Sequence, residues 1–388
     1  MSSPRVCWHR IEAIRWTWVS PPVHMAEIQS GFVSASYLFD VAQAIDLPGL
    51  QQHFGTRASA ARLDDKAPGP SRLQYVQPPL LVEGGALALG DIQDFRVRLK
   101  FYDYGVIAVL LSRPFSGSWA ELVGLGQTLI ESEPLEDRAA AMCRQVVDTI
   151  RPLLKGARSS FLSEDYFVFA VTALDQPAPA EQLLELYGIE IAQLLRGERQ
   201  PLSRQERDEI LRHRLSYLAD DLVIPAWNAA FIYDTEAAAL ATMEILELAN
   251  SHLLEFRYHD DLLDSQLTQI YSTLQAPKWT DRFAGRRHSQ ATRKLQALFI
   301  DVNELTDRME NAVKLVGDVY SARLFGMVSA RLGLERWKRN VEEKLKTLDD
   351  IYRFAVEQTG MSQGNILELV IVLILLMEFG MLLAGLTK

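Results

Sequence analysis

One stretch constrains the chain more than any other. Residues 366–386 read ILELVIVLILLMEFGMLLAGL, with Glu368 and Glu378 as the only charges. As a helix this run would be about 31 Å long, close to the hydrocarbon thickness of a bilayer. A helix that is apolar on every side needs lipid or a large core around it, and only Thr387 and Lys388 follow it. The run therefore predicts a single C-terminal membrane span, residues 362–388 with its flanks. Glu378 would lie near mid-depth, where a carboxylate is costly, so it is expected either to face a second copy or to stay protonated. Arginines at 5, 10 and 15 precede no apolar segment, so no secretory signal is read and the rest of the chain is expected in the cytoplasm. Lys344, Lys346 and Arg353 before the span agree with the positive-inside rule.

The remaining sequence predicts two α/β regions and a helical stalk. Residues 1–24 read as an extension, because Met25 already opens a strand-like stretch. Over 25–164, strands are expected at 31–41, 73–82, 95–101 and 105–111, the last two as a hairpin turning at Tyr102–Tyr104. Helices are expected at 47–54, 119–132 and 135–154, and the polar, proline-bearing stretch 57–72 is a loop. A second region, 165–234, offers the strand YFVFAVTAL, a helix over 180–195, a capping box begun by Ser203 with Glu206, and two short strands around Pro225.

Three long helices are then expected over 235–361. The first runs to about Gln275. The second carries Leu295, Leu298, Val302, Leu305, Met309, Ala312, Val316 and Val319 at alternating spacings of three and four. That is a heptad seam, fitting either an intramolecular hairpin or an oligomer contact. Gly333 ends it, and a third helix follows from Glu335. The fold class predicted is thus α+β: an α/β head, a long antiparallel coiled-coil-like stalk and one membrane helix.

Composition excludes some functions. Fifty acidic against forty basic residues give a net charge of −10, which disfavours a general DNA binder. Cys7 and Cys143 are the only cysteines, too few for a disulfide framework or a zinc ribbon. No P-loop, HExxH or GxSxG pattern occurs, and GGALALG at 84–90 lacks the lysine a phosphate loop needs. No cofactor is expected. His252 and His259 stand seven apart on one helix without a third ligand, and packed histidines are the simpler reading.

Two charged stretches remain. In YHDDLLD, residues 258–264, Asp260 and Asp264 share a helix face at i, i+4, and so do Asp261 and Ser265. Like charges at that spacing call for a partner, either a divalent metal or a basic residue of a facing helix, such as Arg308 or Arg323. The second stretch, 278–294, holds Lys278, Arg282, Arg286, Arg287, Arg293 and Lys294 against one acid, with Trp279 and Phe283 interleaved. Such a loop suits anionic lipid or RNA. If the third helix descends to the bilayer, the loop joining the first two points at it too, which favours headgroup contact.

The segments DDLVIPAWNAAFIYD (220–234) and LELANSHLLEFRYHDDLLD (246–264), with VGDVYSARLF and LERWKRNVEEKLKTLDDIYRF beyond them, resemble the "required for meiotic nuclear division" family, also called the sporulation-protein or Sad1-interacting-factor family. That resemblance implies membrane-anchored proteins without an assigned catalytic activity, one branch of which is linked to organellar translation. It makes the ribosome a candidate partner, and the lack of a convincing transit peptide points to a bacterial inner-membrane protein. Among the matching positions, Trp227, Tyr233 and Asn250 are expected to serve the fold. Asp220, Asp221, Glu255, Arg257, Tyr258, Asp260, Asp261 and Asp264 are expected to form a binding surface. The function expected is a non-enzymatic, tail-anchored, homo-oligomeric scaffold. The rivals are a metal-dependent phosphate-ester hydrolase built on His259, Asp260, Asp261 and Asp264, and an oligomeric membrane-remodelling protein.

Overall fold

The computed structural model describes residues 26–60, 77–89, 92–275 and 319–351, together with 300, 302–304, 307 and 353. Its centre is β1 (Ile28–Asp40), a strand of 13 residues. Period-2 alternation splits its side chains between two faces. Val33, Ala35, Tyr37 and Phe39 point into one core. Phe32 and Leu38 point to the other side, with Ser34 and Ser36 between them buried as well. Both faces are covered, so the strand is buried almost without interruption from Val33 onward.

Around β1 the chain builds one mixed sheet of eight strands, in the order β3-β4-β5-β6-β1-β8-β10-β9. β3 (Ala58–Ala60), β4 (Leu80–Leu89), β5 (Ile92–Phe101) and β6 (Val106–Gly117) lie on one side of β1. β8 (Leu162–Leu174), β10 (Ala229–Tyr233) and β9 (Leu222–Pro225) lie on the other. β8 and β10 run parallel and every other pair is antiparallel. β2 (Ala44–Ile45) and β7 (Leu154–Lys155) form a separate small pair. The two α/β stretches read from the sequence share this one sheet, since β1 of the first pairs with β8 of the second. Gly84 and Gly85 of GGALALG lie in β4, with Gly85 at a positive φ of 95° beside the bulge opposite Arg98 and Val97.

The β5–β6 hairpin turns at Gly105, whose φ is 93°. A Cβ there would stand 1.8 Å from the carbonyl oxygen of Ala42, so only glycine fits. The first face is covered by α1 (Leu47–Phe54), α2 (Trp119–Ile130), α3 (Glu133–Ile150), α4 (Ala180–Arg196) and α5 (Arg204–Arg212). Asp46 caps α1, and Ser118 with Glu121 forms a reciprocal capping box on α2. Ser203 caps α5, but its Glu206 turns to Arg196 instead of closing a box. Trp119 stacks on Tyr187 with ring centres 4.4 Å apart, locking α2 against α4.

The second face is covered by α6 (Glu236–Gln275), α7 (Val319–Leu332) and α8 (334–351). Here the expected architecture is corrected. The first long helix is no free stalk: Ala239, Met243, Leu246, Ala249, Leu253 and Phe256 are buried in a core shared with Tyr166, Val168, Ala230 and Ile232 of the sheet. Burying such a stripe is worth about 1.5–3 kcal/mol for each large side chain, far more than a solvated stalk would gain. The result is α+β in three layers, without a long coiled-coil stalk among the described residues. Of the predicted seam, Val302 is buried while Val319 is 78% exposed, so the two do not share one buried face. Leu295, Leu298, Leu305, Met309 and Val316 lie outside the described residues, as do the basic stretch 278–294, Glu378 and the apolar run. Among the described residues no helix is long and apolar enough to cross a membrane.

Candidate functional site

One stripe of polar residues on α6 faces the sheet. Thr235 caps the helix, its Oγ1 accepting from the amide of Ala238 at 3.4 Å. Glu244, Glu247 and Ser251 then recur at spacings of three and four, one stripe of the helix. Opposite them stand Lys100 near the end of β5 and Tyr102 and Tyr104 in the turn. Lys100 is 3% exposed, and its Nζ lies 2.7 Å from Glu247 and 3.9 Å from Glu244. The Tyr102 hydroxyl donates to the same Glu247 oxygen, and the Tyr104 and Ser251 hydroxyls share a hydrogen bond of 2.8 Å. Burial pushes the Glu244 carboxyl above its ordinary range, Lys100 pulls it back, and Glu247 pushes it up again. Such a cluster fixes where the helix sits, because sliding it by one turn would leave charges buried without partners.

Further along α6 the pairs continue. Arg257 is ion-paired with Glu164 of β8. The Arg158 guanidinium lies 3.7 Å over the Tyr258 ring, and its Nε donates to Asp40 at 3.2 Å. Asp40 is 2% exposed, and burial raises its carboxyl to about 6 against the opposing pull of Arg158. Then the acidic face finds its partner: Lys344 of α8 stands 2.8 Å from Asp260 and 2.7 Å from Asp264. Burial lowers the Lys344 ammonium, but the two carboxylates more than offset this and hold it raised. Among the described residues no group of three or more His, Cys, Asp and Glu is placed to hold a metal.

The residues expected to form a binding surface therefore divide. Asp220, Asp261 and Asp264 are exposed; Arg257, Tyr258 and Asp260 are half-buried in the contacts just described; Asp221 and Glu255 are buried. Asp221 serves the fold locally, accepting from the amides of Tyr217 and Leu218 at 2.7 and 2.6 Å. Tyr233 is buried and donates to the Ala178 carbonyl, and buried Asn250 donates to the Leu246 carbonyl. Trp227 differs: it is 52% exposed.

The exposure of Trp227 is one part of a patch that the sequence reading did not single out. β9 is the edge strand of the sheet, and large apolar side chains stand uncovered at both its ends. Trp227 begins the two-residue turn from β9 to β10, closed by a 2.7 Å hydrogen bond from the Ala226 amide to the Ala229 carbonyl. The buried Tyr166 hydroxyl donates to both of those residues' carbonyls from below. At the other end, Tyr217 and Leu218 are each 61% exposed in the loop that Asp221 ties down. Tyr217 meets Tyr320 of α7 edge to face, and Arg331 of α7 donates to the Pro225 carbonyl. Their backbone is thus fixed from beneath while their side chains face out. The tight turn around Trp227 was the one signal available, since a tryptophan at a hairpin tip has little to pack against.

Comparison with known proteins places this scaffold. The family model described as "Uncharacterized protein MJ0711, N-terminal domain" matches residues 30–239, more than half of the chain. The chain belongs to that family. The matched region begins in β1 and ends in the first turn of α6, so it spans the whole sheet and the helices of its first face. A relative, the uncharacterized protein MJ0711 of Methanocaldococcus jannaschii, is 27% identical over 194 residues, which are 50% of this chain and 59% of that protein. The chain therefore aligns with under two thirds of that relative's length. No solved structure matches. These findings overturn the resemblance to the meiotic-nuclear-division and sporulation family. The expected bacterial inner-membrane placement is corrected as well: the relative is archaeal, and the described residues contain no membrane-spanning helix.

Proposed function

We propose that the protein is a non-enzymatic adaptor that binds a protein partner through the patch around β9. The observation that carries this reading is the rigid exposure of Trp227, Tyr217 and Leu218. Aromatic anchors held on a fixed backbone are what interfaces use, because little side-chain entropy is lost on contact. Scattered exposed apolar residues are ordinary on a protein surface, whereas these three flank one edge strand on a backbone tied down at both ends. The polar groups offer less for catalysis. Lys100 with Glu247, Asp40 with Arg158, and Asp260 and Asp264 with Lys344 neutralise one another, and the first of these sets is sealed from solvent.

The test is affinity purification from the producing cells, comparing the full chain with a Tyr217→Ser, Leu218→Ser, Trp227→Ala triple variant of equal stability. The adaptor reading expects one protein, captured in near-stoichiometric amount, to be lost in the variant. Equal recovery of every partner by both forms would sink it. In parallel, calorimetric titration with Mg²⁺, Mn²⁺ and Zn²⁺ tests the rival hydrolase. Stoichiometric binding abolished by Asp260→Asn with Asp264→Asn would favour the enzyme.

A further inference from the structure

A second feature lies on the first face of the sheet, away from α6 and from the β9 patch. Between the start of β1, the end of β6 and the first turns of α2 is a cleft of about 500 Å³. A bulge in β1 shapes it. Ile28 pairs with Gly117 and Gly31 with Phe115, so Gln29 and Ser30 together oppose the single residue Ser116. Bulges re-aim side chains and are over-represented beside functional sites. This one is held in place: Ser30 accepts a hydrogen bond from Thr172, and a Cβ at Gly31 would strike the Ala170 carbonyl oxygen at 2.3 Å.

Two oppositely charged side chains and several apolar ones line the cleft. Arg113 of β6 is half-buried; its Nε is closed to solvent and has no hydrogen-bond acceptor, and the side chain makes no ion pair among the described residues. Arginine stays charged, and its planar fork matches a carboxylate. Elsewhere in the structure, the half-buried arginines 158 and 257 are ion-paired with Asp40 and Glu164, while the Nε of half-buried Arg98 has no acceptor either. Glu121 supplies the opposite charge. The amide and hydroxyl of Ser118 both donate to its Oε2 and hold its carboxyl below the usual range. Its Oε1 takes no part in that cap. Phe115 and Leu125 line the cleft as well. One cation, one anion and apolar side chains in a small volume complement a molecule with the inverse pattern.

We propose that this cleft binds a small zwitterion with an apolar side chain, of the free α-amino-acid type, with its carboxylate on Arg113 and its ammonium at Glu121. The site lies within the family-matched region, so the proposal adds a ligand to the family's sheet domain. It does not depend on the adaptor reading.

The test uses the full chain and L-leucine as probe, titrated to about 10 mM by calorimetry with ligand-observed NMR. Two truncated analogues accompany it: 4-methylpentanoate, which lacks the amine, and 3-methylbutylamine, which lacks the carboxylate. Saturable leucine binding is expected, with each analogue at least ~10-fold weaker, because a lost charged hydrogen bond is worth about that much. Arg113→Gln and Glu121→Gln should each weaken leucine at least ~10-fold. Glutamine can still complete the α2 capping box, which keeps the second variant folded. If Arg113→Gln does not fold, the analogue series on the unaltered chain decides alone. The proposal is overturned by no saturation of either leucine or L-phenylalanine, by an unchanged leucine affinity in folded Arg113→Gln, or by 4-methylpentanoate binding as well as leucine.

Discussion

Replacing Lys100 with methionine gives the sharpest reading of how α6 is held. The substitution keeps the length of the side chain and removes its charge. Glu247 then loses its counter-ion and Glu244 keeps only the weaker pull of Arg98, while their side chains stay 8% and 16% exposed. Breaking a buried pair by removing one partner costs about 3–5 kcal/mol, a large part of the roughly 5–15 kcal/mol that holds a domain folded. The carboxylates have an escape, which is protonation. Neutralising one ordinary glutamate costs about 4 kcal/mol at pH 7 and only about 1 kcal/mol at pH 5. In the variant the folded-state carboxyls are raised above their unfolded values, so the folded state binds more protons than the unfolded one. Stability must therefore fall as pH rises from about 4 toward 7. Urea unfolding at pH 7 and pH 5 checks this. The loss relative to the unaltered protein should be about 3–4 kcal/mol at pH 7 and at least ~2 kcal/mol smaller at pH 5. Adding Glu247→Gln should recover much of it at pH 7. A loss under about 1 kcal/mol, or one that does not change with pH, would refute the buried ion-pair account.

Asp40 should leave its own mark on the pH profile. Its folded value of about 6 lies above the ordinary 3.8, so its contribution to stability declines as pH rises between those values. Asp40→Asn should remove that slope and match the unaltered protein near pH 4, which an unfolding series over pH 4–7 reads. Gly105→Ala should destabilise by about 3 kcal/mol or more, read as a lowered midpoint, because it adds both a positive-φ strain and a clash with backbone. Lys344→Ala should lose only about 1 kcal/mol, less at high salt, since Lys344 is 26% and Asp264 58% exposed.

Local signals in the sequence carried much of the fold. Asp46 before Pro48 marks the start of α1, the alternation through Phe39 marks β1, and Gly105 marks the hairpin. What local reading missed was which faces would meet. Ser34 and Ser36 alternate with the apolar residues of β1 and are buried all the same, and their small size lets a helix lie close on the sheet. Lys100 alternates with apolar residues along β5, the pattern of a half-exposed strand. α6 was expected in a stalk from its length, and nothing in Glu244, Glu247 and Ser251 names the strand they face. Each set is polar because of the other, and neither segment alone reveals a partner some 150 residues away. The β1–β8 pairing is hidden for the same reason. The acidic face at Asp260 and Asp264 did announce the need for a cation, but not that Lys344 would supply it. In the patch, Trp227 was expected to serve the fold on the strength of the family resemblance, and it stands 52% exposed instead.

The adaptor reading stands or falls on contact at β9. A photo-crosslinking amino acid placed in turn at positions 217, 227 and 186 of the full chain, followed by irradiation in the producing cells, tests it directly. Position 186 is the control, since Leu186 is also exposed, at 43%, but on the outer face of α4. The account predicts one discrete protein adduct shared by positions 217 and 227 and absent at 186. Adducts equal at all three positions, or none at 217 and 227, would contradict it.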